Sequence, residues 1–357
     1  MSDTSTRVTA VTLAVVTVLS VVVVPLGFAT PAAAAATGIS ITSTSNVVAG
    51  QSNAQQTVSF EATVANNTTD TITVDTSAIR GQGATVTGAS ATLDDGDDVQ
   101  IGSASVTGDS NVEFTVEDTG ANNASDTASV TVAVTYDTTG ASTAGGLSVP
   151  VTAAGGPSAS RPADIVPPVS GAGSAADITA ESGQSQTVSG IPVNTGGNSN
   201  GFVYVDVSAL EDAGGSVGGV SASASGGSIG ATEVQSVGGS TVAYAEITGV
   251  SSGPTAVQAT VDVTLQNVDA SGVASGTDLS YAVGATVGSR NASFVPDGST
   301  TTAFTVSRGS DVTRAGPGGS GEFDTENGEG VVYEGATVYR GEDGIEFGDP
   351  LSDTLTG

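Results

Sequence analysis

Apolar and small polar residues alternate along most of this chain. The clearest runs are residues 39–42, 57–64, 71–75, 84–87, 112–116, 129–136 and 147–151. A period of two puts successive side chains on opposite faces of an extended strand, one face buried and the other wet. Clusters of Asn, Asp and Gly separate the runs, and this spacing of short strands predicts an antiparallel β-sandwich. No window carries the 3.6-residue period of a helix of useful length.

The same frame returns 131 positions later. Residues 74–79 read Val-Asp-Thr-Ser-Ala-Ile and residues 205–210 read Val-Asp-Val-Ser-Ala-Leu. Residues 83–91 match 214–222, and 128–134 match 259–265, while in between the offset slips by one so that 111–114 face 241–244. Two copies of one module follow, with a one-residue loop change between them. The expected fold class is all-β, two tandem antiparallel sandwiches over 37–153 and 175–308. Residues 154–174 hold several prolines and glycines without periodicity and are expected to be a linker. Residues 309–330 form an acidic Gly-rich tract with little apolar to bury, expected to be a second linker or disordered. Residues 331–357 bring back strand pattern for one or two strands, too few to make a domain.

The N-terminus has a different character. A polar start with Arg7, an apolar run over 8–24, prolines at 25 and 31 and the alanines of 32–36 make the tripartite pattern of a secretory signal over 1–36. An uncleaved anchor is the rival, since 17 residues is near the lower limit for a membrane span. No later stretch is apolar enough to span, so none is expected after cleavage.

Charge narrows the partners. The chain carries 37 acidic residues against seven basic ones, all Arg, for a formal charge of −30. Such a surface repels nucleic acid and anionic lipid. It suits molar salt, where the screening length falls to about 3 Å, and a halophilic source is expected. With no Cys, His or Lys, disulfides, imidazole metal sites, triad hydrolysis and Schiff-base chemistry are excluded. Neither copy looks like an enzyme, and no cofactor is expected.

Two sets of residues remain as candidate sites. Asp94, Asp95, Asp97 and Asp98 crowd one turn and could offer oxygens to weakly held Ca²⁺ or Mg²⁺, but they lack the order of a dedicated calcium loop. A solvated acidic turn is the plainer reading. Asn66, Asn67, Asn123 and Asn291 each open an N-x-Ser/Thr sequon and are glycosylation candidates in an exported chain. Asp75 and Asp206 hold equivalent places in the two copies. A backbone-tying role at a strand exit fits them better than a catalytic pair.

The segment Val331-Val-Tyr-Glu-Gly-Ala-Thr-Val-Tyr-Arg-Gly-Glu-Asp-Gly-Ile-Glu-Phe347 resembles the opening of the mature region in haloarchaeal surface (S-layer-type) glycoproteins. The signal region is similar in style. In that family the segment opens a β-domain, whereas here it comes last, which implies a fragment, a split gene product or a rearranged member. The two modules look like Ig-like or cohesin-like adhesive sandwiches. The resemblance implies an extracellular, cell-surface protein, non-enzymatic, structural or adhesive, that associates with other envelope proteins or with itself. A secreted carbohydrate- or protein-binding module is the alternative, although aromatic residues make up only 4% of the chain. A two-carboxylate polysaccharide hydrolase is a weaker rival.

Overall fold

The computed structural model describes residues 36–251, 257–307, 339–341 and 344–346. The expected signal over 1–36 lies outside these except for Ala36, and the expected acidic tract 309–330 lies outside them entirely.

The first module is built from β1 (Ala36–Thr44), β2 (Val47–Val48), β3 (Ala54–Val64), β4 (Thr69–Asp75), β5 (Thr85–Asp95), β6 (Val99–Ile101), β7 (Ser105–Thr107), β8 (Asn111–Asp118), β9 (Asp126–Asp137), β10 (Ala144–Ala153) and β11 (Ser158–Val166). The second contains β12 (Ser174–Ala175), β13 (Ile178–Thr179), β14 (Gln184–Val193), β15 (Gly201–Asp206), β16 (Ser216–Ser225), β17 (Ser228–Val237), β18 (Ser240–Thr248), β19 (Ala259–Asp269), β20 (Thr277–Val287) and β21 (Thr301–Ser307). One helical turn interrupts each copy at the same place, α1 (Ser77–Arg80) and α2 (Ser208–Asp212). Further on, β22 (Tyr339–Gly341) and β23 (Gly344–Glu346) pair antiparallel.

The repeat read from sequence is a repeat of topology. One sheet runs β1-β3-β9-β5 in the first copy and β12-β14-β19-β16 in the second. The facing sheet runs β2-β11-β10-β4-β8-β6, with β7 also on β8, against β13-β21-β20-β15-β18-β17. Both copies are antiparallel sandwiches except for one short parallel pair each, β2 with β11 and β13 with β21. Alternation is clean on β3 and β9. Val58, Phe60, Ala62 and Val64 are buried against Val130, Val132 and Val134, while Ser59 and Thr131 share a 3.0 Å hydroxyl hydrogen bond on the other face. Each fully buried Val contributes roughly 1.5–3 kcal/mol. The two cores are separate clusters with little aromatic content.

Each core also buries one tyrosine on one glutamine. Tyr136 donates its hydroxyl to Gln56 Oε1 at 2.8 Å, and Tyr281 donates to Gln186 Oε1 at 2.6 Å. The glutamines occupy matching positions on β3 and β14, but the tyrosines come from β9 in one copy and β20 in the other. Burial pushes both phenols well above their ordinary range, so they remain donors.

The stretch 154–174 is not a linker. Its residues 158–166 are β11, which pairs with β10 along most of its length and with β2 at its end. Polar and proline-interrupted, the strand sends only Ala163 and Ile165 into full burial, so the apolar alternation that betrays other strands is faint. Arg161 fastens it to β1 by donating Nη1 to the Ile41 and Thr42 carbonyls at 3.3 and 2.6 Å. Pro167 and Pro168, read as extended spacer, are held by Asn194. Its Nδ2 donates to the Pro167 carbonyl at 2.7 Å and its backbone N–H to the Pro168 carbonyl at 2.9 Å.

The modules therefore meet directly. The β14–β15 loop lies on the start of β3: the Gly197 N–H donates to the Gln55 carbonyl at 2.9 Å, and the Gln55 N–H donates to Asn198 Oδ1 at 2.9 Å. Asn198 Nδ2 reaches the Asn53 carbonyl at 3.3 Å, and the Val287 N–H donates to Gln51 Oε1 at 3.1 Å. Gly196 sits at φ +60°, and a Cβ there would stand 2.7 Å from the Asn46 carbonyl oxygen, so the close approach requires glycine.

Replacing Tyr136 or Tyr281 by Phe leaves a buried glutamine oxygen without its donor. Each variant is expected to lose about 1–3 kcal/mol of stability in urea unfolding, against about 0.5 kcal/mol for an exposed control such as Thr92→Ala.

Candidate functional site

The acidic turn lies largely on the surface. Asp94, Asp95 and Asp97 are exposed and Asp98 is half-buried at φ +57°. Asp94 Oδ2 accepts the Thr131 hydroxyl at 2.5 Å. Among the described residues no three acidic side chains converge on one point.

The sequons differ in access. Asn67, at φ +54°, Asn123, at φ +59°, and Asn291 are exposed on loops, whereas Asn66 is half-buried with its Oδ1 enclosed. Of the overlapping pair, Asn67 is the open acceptor. Asn291 caps its own turn by accepting the Ser293 N–H on Oδ1 at 3.0 Å.

Asp75 and Asp206 do matching backbone work. Each accepts the N–H of the serine two residues on, Ser77 at 2.8 Å and Ser208 at 2.9 Å, and so turns the strand into the helical turn. They belong to different modules. Neither has a second acid positioned for paired-carboxylate chemistry among its hydrogen-bond partners.

The feature that sequence reading missed is the outer face of the second module's larger sheet. In the first copy, β4 buries alternate residues only, and Thr71 and Thr73 lie on its outer side. In the second copy, β15 is buried on both sides: Val203 and Val205 face the core, and Phe202 and Tyr204 face outward. They cluster there with Tyr244, Val242 and Phe294. The chain's own 288–300 segment covers them, whereas the first copy makes the same connection between β10 and β11 with a short turn. Phe294 packs on Tyr204 with ring centroids 4.8 Å apart, and the Tyr204 hydroxyl donates to the Asn291 carbonyl at 3.3 Å. Gly284 makes room, since a Cβ there would lie 2.9 Å from the Phe294 ring.

Arg290 closes the edge of this cluster. Its guanidinium lies 4.1 Å from the Tyr244 ring centroid, within cation–π range. It also pairs with Glu233 Oε2 at 3.5 Å, and the same oxygen accepts the Tyr244 hydroxyl at 2.9 Å. Burial, followed by the hydrogen bond to Glu233, raises the Tyr244 phenol above its ordinary value. This site is filled by the protein itself. Phe294, the aromatic residue least enclosed within the two modules, is still half-buried, so no ring described in the two modules stands open as a stacking platform for a sugar.

No family model matches the chain, and no curated protein does. Solved structures do resemble it. Collagen adhesin from S. aureus aligns at 9% identity over 77% of this chain and 93% of its own, with a TM-score of 0.22. The N-terminal domain of a Streptococcus gordonii adhesin aligns at 11% over 72% and 62%, with a TM-score of 0.24. The major pilin subunit of Bacillus cereus aligns at 10% over 69% and 59%, with a TM-score of 0.25. At these values the likeness says nothing about ligand or partner.

Phe294→Ala is expected to cost about 2 kcal/mol or more and to weaken the near-ultraviolet dichroism of the tyrosines it covers. A second expectation concerns acid. Asp137 is held below its ordinary value chiefly by the Thr139 N–H, and Asp269 and Asp297 by the hydroxyls of Ser271 and Ser299. A carboxylate with a depressed folded value stabilises the protein above its unfolded value and loses that contribution as pH falls through the folded one. In molar salt, stability is therefore expected to decline below pH 3.8, with a shallower decline in an Asp137→Asn/Asp269→Asn variant.

Proposed function

We propose that this protein is a non-enzymatic structural or adhesive component of the cell surface, an S-layer or envelope-associated protein of a halophile. Its modules act passively, and it associates with envelope proteins or with copies of itself through a sheet edge. The observation that carries the reading is β5, an 11-residue strand that in its sheet pairs only with β9 among the described residues. Between bulges at Thr87 and Asp94, residues Gly88 to Leu93 pair regularly with β9 and carry no charge, no Pro and no Lys. Natural proteins normally protect an edge with such residues, and an unprotected edge is a template for pairing. The rest of the chain supplies strong acidity and small-residue cores, which suit a wet, salt-rich exterior.

Several further features support the reading. The absence of His, Cys and Lys removes imidazole bases and thiolate and amine nucleophiles. The exposed sequons Asn67, Asn123 and Asn291 fit a glycosylated exterior protein, and the segment from Val331 to Phe347 resembles surface glycoproteins. The covered aromatic face argues against a carbohydrate-binding module that works by stacking.

The test is made in the source organism at native salt, by separating envelope from medium and taking the intact mass of the protein in each. Envelope-bound protein, released by chelating divalent cations, shortened by its first 34–36 residues and heavier than its sequence mass, is expected. Free, unmodified protein confined to the medium contradicts the proposal. In purified form, Ser90→Lys/Thr92→Lys on β5 is expected to reduce self-association at native salt by at least tenfold.

A further inference from the structure

We infer that the outer end of the first module holds a hard cation of the calcium class on Asp118 and Asn66, a site distinct from the exposed Asp94–Asp98 turn. Asp118 closes β8 and is only 1% exposed. One carboxylate oxygen, Oδ1, accepts the Gly120 N–H at 2.7 Å and the Asn67 N–H at 3.4 Å. The other, Oδ2, is buried and meets no donor among the described residues, and the same is true of Asn66 Oδ1.

Both side chains converge on Gly120. The Gly120 N–H binds the Asp118 carboxylate, and a Cβ at Gly120 would stand 3.1 Å from Asn66 Oδ1. Gly120 itself is at φ +74°. The loops around them are tied together by backbone: the Asp118 N–H donates to the Thr68 carbonyl at 2.9 Å, and the Thr119 N–H to the Asp98 carbonyl at 2.8 Å.

A buried carboxylate requires compensation, because desolvating an unpaired charge is costly. No described basic side chain supplies it. Arg80 pairs with Asp109, Arg161 with the carbonyls of β1, and Arg290 with Glu233 in the other module. Two buried acceptors without a donor, one a carboxylate and one an amide carbonyl, are the oxygen types Ca²⁺ selects, with water completing its shell of about six to eight. The neighbouring acidic turn adds negative potential that draws a cation in.

The second copy lacks the pair. Thr248 ends β18 where Asp118 ends β8, and the loop equivalent to Asn66 is the Gly-Gly-Asn loop that lies on the first module. One site per chain is expected. It sits at the far end of β3 from the junction, about 33 Å away for an 11-residue strand.

The experiment uses the full chain at constant ionic strength set by sodium chloride. Thermal unfolding and calorimetric titration are run with calcium chloride, with magnesium chloride and with chelator. Wild type is expected to bind one Ca²⁺ per chain and to rise by about 5 °C or more at saturation, with a smaller response to the smaller Mg²⁺. Asp118→Asn is expected to lose the response and at least tenfold in affinity; Asn66→Ala, which leaves the carboxylate in place, is expected to weaken both and stands in if Asp118→Asn does not fold. Replacing Asp94, Asp95, Asp97 and Asp98 together by Asn is expected to keep the stoichiometry of one. The inference is overturned if wild type shows no calcium response. It is equally overturned if the response survives in Asp118→Asn and Asn66→Ala or vanishes only with the acidic turn.

Discussion

Carboxamides buried where the two sandwiches meet govern the arrangement of the chain. Gln51 and Asn198 are nearly inaccessible, and each satisfies a backbone N–H of the opposite module, Val287 for Gln51 and Gln55 for Asn198. A buried backbone donor left unpaired costs about 1–3 kcal/mol, so the contact is specified by position as well as by area. Asn194 works in the opposite sense on the connecting prolines, its side-chain Nδ2 donating to the Pro167 carbonyl. These amides turn two repeated units joined by a proline-rich segment into a pair with a defined head-to-tail contact. The glycines at 196 and 197 let the backbones approach closely enough for the amides to reach.

That contact also explains why the copies diverged. A homologous end of each module faces a different neighbour: the β14–β15 loop rests on the first module, while the β3–β4 loop stands at the outer end beside Asp118. The outer sheet faces diverged as well. Thr71 and Thr73 keep the first copy's face wet, while Phe202 and Tyr204 demand a cover that residues 288–300 provide. Arg290, one of seven arginines in a chain with 37 acidic residues, lies exposed over an aromatic ring and beside a carboxylate.

Much of this was legible from residue pattern. The alternation of β3, β4, β8, β9 and β10 is strong because their buried positions are filled by Val, Ile and Phe, and the repeated Asp-x-Ser marked both strand exits where Asp75 and Asp206 cap the turns. β11 escaped because its sequence from Ser158 to Val166 holds Pro162 and buries only two side chains fully. The aromatic face escaped because Phe202 and Tyr204 read as ordinary core positions; only contact with Phe294, some ninety residues away, shows that they point outward. Asn66 was legible as a sequon, but its approach to Gly120 in the loop after Asp118 depends on strands β3, β4 and β8.

The central claim is that the modules are joined by a formed polar junction and not by a flexible spacer. The most direct measurement is native-state hydrogen exchange at the amides of Gln55, Gly197 and Val287, with exposed loop amides as reference. Protection comparable to that of the central strands, lost together in Asn198→Ala, is the result this account predicts. Exchange of all three at the rate of exposed loops in the wild-type chain would contradict it.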